Sequence, residues 1–292
     1  MLLATQTHVL FDRLGEDKAL DIFAKAGFDA LDLSLFDMIH DNTRFSGDNA
    51  ENIAKELRKK AEAHGLIFTQ AHAPFTFDLK VKSFDEYTPL VEKAIRISAA
   101  AGVRQIVVHP YHHVTYRNNE KAVFEKNIEY YRAFIPICEE YGIKVCCENM
   151  WQRDSRRSYI VEDACSYAAE FARYLDEIGS KWIIGCLDIG HCGLIGEEPY
   201  EAILTLGNER LKALHVHDND YKSDTHTIPG CGKINWSKVT SALAQIDYSG
   251  EFTFEADNFY QNFEDDFLEE AARFLALRGR NLIAKIEAAK EK

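Results

Sequence analysis

The stretch Glu140-Tyr141-Gly142-Ile143-Lys144-Val145-Cys146-Cys147-Glu148-Asn149 decides the fold. A segment of helical periodicity, Glu120–Tyr141, stops at a glycine, the residue that most easily adopts the left-handed conformation closing a helix. An apolar run of strand character, Lys144–Asn149, follows at once and carries a carboxylate, Glu148, next to its end. The same phrase recurs along the chain. Strand-like runs fall at Leu2–Thr7, Ala30–Leu35, Leu66–His72, Gln105–His109, Lys144–Asn149, Trp182–Asp188, Leu211–Asp218 and Glu251–Ala256. Helical patterns fill the intervals at Asp17–Ala26, Asn49–His64, Phe84–Ala100, Glu120–Tyr141, Glu162–Ile178, Tyr200–Leu206, Ser237–Ile246 and Asp265–Glu287. Eight strand–helix units at roughly 36 residues each predict an α/β chain, a (β/α)8 barrel forming a single domain over residues 1–292. An open doubly wound sheet would usually carry a glycine-rich phosphate loop after its first strand, and Thr5-Gln6-Thr7-His8-Val9-Leu10 contains no glycine.

Composition narrows the function. With 34 Lys+Arg against 47 Asp+Glu, the formal charge of −13 argues against a nucleic-acid partner held by a basic face. No stretch reaches the roughly 18 uninterrupted apolar residues that a membrane span needs. The seven cysteines are odd in number and two are adjacent, which predicts reduced thiols rather than a disulfide framework. The first residues lack the basic and apolar regions of a signal peptide, so a cytoplasmic location is expected.

Residues of metal-binding type sit where the runs end: His72, His109, Glu148, Asp188, His215 and Glu255, separated by 37, 39, 40, 27 and 40 residues. In a barrel these six would converge on the C-terminal mouth, where barrel enzymes place their sites. Ionised carboxylates are almost never buried without a partner, and Glu148 and Glu255 both leave apolar strands. Nitrogen and oxygen donors without a thiolate set suit Zn²⁺, Mn²⁺, Co²⁺ or Fe²⁺. His191, Asp224 and His226 lie just beyond strand ends.

His72-Ala73-Pro74, His109-Pro110, Glu148-Asn149, Leu187-Asp188-Ile189-Gly190-His191, His215-Val216-His217-Asp218-Asn219, Asp224-Thr225-His226, the segment Pro229–Trp236 and Phe254-Glu255 together resemble the xylose isomerase-like TIM barrel superfamily. This is the group of sugar phosphate isomerases and epimerases to which endonuclease IV is related. The resemblance implies a metal centre of Glu148, Asp188, His215 and Glu255. His217, on the same strand face, stands as a second candidate at the imidazole position and as a substrate contact. The nine-ligand, three-zinc arrangement of endonuclease IV has residues of matching type here, so the resemblance also implies a second or third metal at His72, His109, His191, Asp224 and His226.

For the isomerase branch it implies that Glu148 and Glu255 exchange a proton beside a carbonyl, with a metal-stabilised enediolate between the two transfers. His191, Asp154 and Trp151 would contact a sugar or sugar phosphate. The family's substrate-binding arginine six residues after the metal histidine is Tyr221 in this chain. The alternatives are an endonuclease IV-like abasic-site phosphodiesterase, an inosose dehydratase-like lyase and a non-enzymatic carbohydrate-binding barrel. The missing basic loop after the first strand, together with the charge, favours sugar chemistry. Phe36, Phe75 and Tyr260 are further candidates for packing against a sugar, Trp236 is expected to be structural, and the family's habits lean toward a homo-oligomer.

Overall fold

Each of the eight apolar runs forms a parallel strand in the computed structural model, which describes residues 1–75, 84–112, 114–154 and 156–291. The strands are β1 (Leu3–Gln6), β2 (Ala30–Ser34), β3 (Ile67–His72), β4 (Gln105–Val108), β5 (Lys144–Glu148), β8 (Ile183–Asp188), β9 (Leu211–His215) and β10 (Phe252–Phe254). They pair in the order β10-β1-β2-β3-β4-β5-β8-β9. Between β9 and β10 the barrel closes through one parallel bridge, Val216 to Phe254, where Val216 N–H donates to Thr253 at 2.9 Å and Glu255 N–H donates to Val216 at 3.2 Å. The remaining strands, β6 (Trp151–Arg153) and β7 (Ile160–Glu162), form an antiparallel hairpin outside the barrel.

The helices are α1 (His8–Leu14), α2 (Glu16–Ala26), α3 (Ala50–Ala63), α4 (Phe84–Ala100), α5 (Glu120–Ala133), α6 (Ile135–Tyr141), α7 (Ala168–Ile178), α8 (Ile189–Leu194), α9 (Pro199–Arg210), α10 (Trp236–Gln245) and α11 (Leu268–Lys290). Left-handed Gly142 and Gly179 close α6 and α7 as the sequence predicts. The expected helix Glu120–Tyr141 is broken at Phe134, because Pro136 in the first turn of α6 has no N–H to continue the ladder. The expected helix Glu162–Ile178 starts at Ala168 instead. Ahead of it, Asp163 N–H donates to Ser166 Oγ at 2.6 Å and Cys165 takes a positive φ, so the chain turns there. The short α1 and α8 and the hairpin were not expected.

The core has two parts. Most of it lies between the strands and the outer helices, where Leu275 and Leu282 of α11 are fully buried against the barrel. Each such leucine contributes roughly 2 kcal/mol of hydrophobic stabilisation. A smaller cluster, Val107, Cys146, Ile184, Cys186 and Ala213, fills the lumen. This plug forms a floor beneath the C-terminal mouth. Among the described residues no helix is long and apolar enough to cross a membrane.

A candidate metal centre at the barrel mouth

Glu148 ends β5, Asp188 ends β8, His215 ends β9 and Glu255 follows β10. All four are buried, and their ligand-type atoms lie within 4.8 Å of one another. His215 Nδ1 is the hub, 2.7 Å from Glu148 Oε1 and 3.1 Å from Glu255 Oε2. The 2.7 Å contact is of hydrogen-bond length, and the pair would open to about 3.4 Å around a tetrahedral ion with ligands near 2.1 Å. Glu255 Oε1 accepts a hydrogen bond of 3.0 Å from Gln6 Nε2, which turns its other oxygen toward His215.

The remaining histidines extend the cluster on both sides. His109 Nε2 is 2.9 Å and His72 Nε2 3.7 Å from Glu148 Oε2. On the other side, Asp224 Oδ2 lies 3.3 Å from His191 Nε2 and 3.2 Å from His226 Nε2. His217 Nε2 contacts Asp188 at 3.0 Å. Three rings are fixed by backbone carbonyls: Nδ1–H of His72 donates to Ala73, that of His191 to Asn149 and that of His226 to Glu255. Each therefore presents Nε2 to the cluster, the arrangement that orients imidazoles for a metal.

The donor set fits divalent ions on a second ground. His72 Nε2, Glu148 Oε2 and Asp224 Oδ1 are buried yet have no hydrogen-bond partner among the described residues, and an unpaired buried polar atom is costly. Groups able to hold an ion include Glu148, Asp188, His215 and Glu255; His72, His109 and Glu148; and His191, His217, Asp224 and His226.

Protonation follows the contacts. Burial opposes the Glu148 charge, but the imidazole of His215, with those of His109 and His72 beside it, holds the carboxyl well below its usual range. Burial likewise opposes charge on His215, and Cys186, Glu255 and Glu148 outweigh it and raise the imidazole well above its ordinary value. His191 is raised to about 10 against its burial by Asp188 and Asp224. His109 is lowered to about 4, chiefly by burial.

A cavity of about 640 Å³ opens beside the cluster, lined by Glu255, Asp224, His226, His191, Trp151 and Phe75 among others. Trp151 belongs to the hairpin, and its Nε1–H donates to Asp224 Oδ2 at 3.1 Å. Phe75 stacks on Phe36 at 4.5 Å, and Phe36 meets the His72 ring edge-on. Tyr260 is buried, so it packs in the fold.

Asp154, expected to touch substrate, sits in the hairpin turn. Its Oδ1 accepts from the N–H groups of Arg156 at 2.9 Å and Arg157 at 2.7 Å, and these bonds lower its pKa. A short polar side chain at that position is drawn to nearby backbone donors. Tyr221, where the resemblance implies an arginine, packs on Gly193, so closely that a Cβ there would lie 2.2 Å from its ring. Gly190 has a similar role, because a Cβ would lie 1.9 Å from the His217 ring.

Two residues at the site escaped the sequence reading. His112 lines the cavity with Nδ1 2.5 Å from the buried Asp163, and Asp32 lies beneath His215. Asp32 carried a signal, since it interrupts the apolar strand Ala30-Leu31-Asp32-Leu33. Trp236 is structural, its Nε1–H donating to Asp218 Oδ2 at 2.8 Å.

Comparison with known proteins agrees with this architecture. A protein of Sinorhizobium fredii, y4fM, is 27% identical over 199 residues, which cover 67% of this chain and 60% of that one, less than two thirds of its length. A D-psicose 3-epimerase of Ruminiclostridium cellulolyticum is 25% identical over 244 residues, covering 80% of this chain and 75% of that one. A crystal structure of a D-tagatose 3-epimerase-like protein superposes with a TM-score of 0.74 at 22% identity, covering 100% of this chain and 99% of the other. The family model described as xylose isomerase-like TIM barrel matches residues 20–277. With eight parallel strands, helices between them and that match over most of its length, the chain belongs to the xylose isomerase-like TIM barrel family.

Proposed function

We propose that the chain is a divalent-metal-dependent isomerase or epimerase of sugars or sugar phosphates that works by removing a proton beside a carbonyl. One observation carries this reading. Glu148 and Glu255, from different strands, approach the same nitrogen of His215 at the edge of a cavity of small-molecule size. The similarity to a protein named D-psicose 3-epimerase supports it.

In this reading Glu148, Asp188, His215 and Glu255 hold the ion, which supplies Lewis-acid polarisation of a substrate carbonyl and its neighbouring hydroxyl. Glu148 and Glu255 act as base and acid, one taking the proton from carbon and the other returning it. Gln6 fixes the free oxygen of Glu255 for that task. His191, locked by Asn149, presents Nε2 to substrate oxygens or to a further ion. Trp151 offers an apolar face to the sugar backbone, and the floor of the lumen limits access of water from below. His72, His109, Asp224 and His226 hold a second or third ion, with His217 between Asp188 and Asp224.

The overlapping ligand groups favour one further reading, an endonuclease IV-like phosphodiesterase with a multinuclear zinc site. A single set of assays separates the two. Protein loaded with Zn²⁺, Mn²⁺ or Co²⁺ is incubated in D₂O with ketoses, their phosphates and inosose, and carbon-bound deuterium is followed by NMR beside an abasic-site nicking assay. Deuterium entering carbon with product formed and no nicking is the expected result. Nicking without exchange overturns the isomerase reading in favour of the nuclease, and dehydrated product from inosose turns it to a lyase.

A further inference from the structure

Asp32 lies in mid-strand between Leu31 and Leu33, and both it and His215 are fully buried. Its Oδ2 accepts a 2.8 Å hydrogen bond from Gln70 Nε2 and lies 3.4 Å from His215 Nε2, a buried atom that makes no hydrogen bond among the described residues. Its Oδ1 has no hydrogen-bond partner among the described residues. Gln70 Oε1 in turn accepts from Gln105 Nε2 at 3.2 Å, and Gln105 Nε2 donates to Glu251 Oε2 at 3.4 Å. A file of polar groups thus leads from His215 toward the N-terminal end of the barrel, beside an otherwise apolar filling. A carboxylate buried this deeply is strongly unfavourable unless a partner compensates it. Among the described residues the ion-pair partner of Asp32 is His215.

His215 differs from the other rings of the mouth. His72, His191 and His226 use Nδ1–H on backbone carbonyls and turn Nε2 to the cluster. His215 is reversed, with Nδ1 toward Glu148 and Glu255 and Nε2 toward Asp32. An imidazole that binds a metal through Nδ1 carries its proton on Nε2, and that proton needs an acceptor. The geometry points to Asp32 as the positioning residue of the metal centre: it fixes His215 in the Nδ1-ligating tautomer, holds the ring plane and strengthens the imidazole as a donor, while Gln70 holds Asp32. The inference rests on the metal centre proposed above but not on the identity of the reaction.

The substitution Asp32→Asn keeps the shape of the side chain and removes its charge. Zinc and cobalt affinities are measured by competition with a chromophoric chelator, and metal-free wild type and variant are compared by circular dichroism and thermal unfolding. The expected result is a roughly 10- to 100-fold loss of zinc affinity. A shifted visible spectrum of the cobalt form and a metal-free melting temperature no lower than wild type should accompany it. Affinity within twofold of wild type overturns the proposal.

A second measurement needs no change at residue 32. In the zinc-loaded wild type with ¹⁵N-labelled histidine, His215, assigned through His215→Gln, should show a protonated Nε2; a ligated, unprotonated Nε2 overturns the proposal. Neither readout involves turnover. A protein that passes both and converts no sugar refutes the sugar reading alone, whereas one that binds no divalent ion refutes the role of Asp32.

Discussion

The imidazole of His217 lies flat against that of His226, with ring centroids 4.0 Å apart and planes 9° from parallel. The stack directs the two Nε2 atoms to different carboxylates, His217 to Asp188 at 3.0 Å and His226 to Asp224 at 3.2 Å. One ring thus leans on the Glu148–His215 group and the other on the Asp224 group. His226→Ala should lower bound zinc by one ion per chain and leave an ion at Glu148, Asp188, His215 and Glu255. Mass-spectrometric metal counting on dialysed protein checks this; an unchanged count removes His226 from the ligands.

Replacing either central glutamate tests the chemistry. Glu148→Gln and Glu255→Gln should each lower carbon-bound proton exchange by roughly 10²- to 10⁴-fold, the range for loss of a general acid or base. Single-turnover NMR in D₂O measures it, and metal counting separates a lost proton carrier from a lost ligand. A glutamine variant that exchanges at the wild-type rate takes that residue out of the mechanism.

Metal uptake should release protons. Their surroundings raise His226 and His215 well above the ordinary imidazole value and His191 to about 10, so metal-free protein is expected to carry protons on these rings that a metal must displace. A metal binds neutral imidazole, so each ligating ring must give up its proton. Affinity is therefore expected to rise from pH 6 to pH 9. The same shifts set the stability of the metal-free protein. A folded pKa raised above the ordinary 6.5 contributes stability that is complete below 6.5 and fades as the pH climbs toward 10. Calorimetry in buffers of different ionisation enthalpy counts the protons, and denaturant titrations at several pH values follow the stability.

Asp218 anchors the loop behind the mouth. Its Oδ1 accepts from the N–H groups of Asn219 at 2.9 Å and Ile234 at 3.1 Å, and its Oδ2 from Gly230 N–H at 2.7 Å and Trp236 Nε1–H at 2.8 Å. Gly232 allows the close approach, since a Cβ there would lie 2.2 Å from Oδ1. Hydrogen bonds to a charged group are worth roughly 1.5–3 kcal/mol each, and leaving several buried donors unpaired adds to the loss. Asp218→Ala should therefore destabilise the fold by at least about 3 kcal/mol in urea titration. A change below about 1 kcal/mol would show that the loop holds without it.

The barrel was legible because its signals are local and repeated. A glycine such as Gly142 at a helix end and an apolar run such as Lys144–Glu148 need no long-range information to be read. The convergence of His72, His109, Glu148, Asp188, His215 and Glu255 was legible for the same reason, since strand ends in a barrel share one rim, whereas His191, Asp224 and His226 joined them through the family resemblance. The hairpin was hidden because Trp151–Arg153 and Ile160–Glu162 are only three residues each and take their register from one another. The role expected of Asp154 rested on spacing alone, which does not reveal that two backbone N–H groups lie within its reach. Asp32 could have been found by the test applied to Glu148 and Glu255, a carboxylate in an apolar strand. It lies one layer below the rim, outside the pattern of strand ends, and its partner comes from a strand 183 residues later.

The bridge between Val216 and Phe254 is the clasp of a hoop. His215 and Glu255 adjoin that bridge, one on each side, so an ion held between them would staple the barrel at its lightest seam. Breathing of the hoop would separate the ligands, and a bound ion would resist that breathing. In that sense the cargo of the mouth would also be a fastener of the wall, and stripping it would loosen the molecule first at the place where it works.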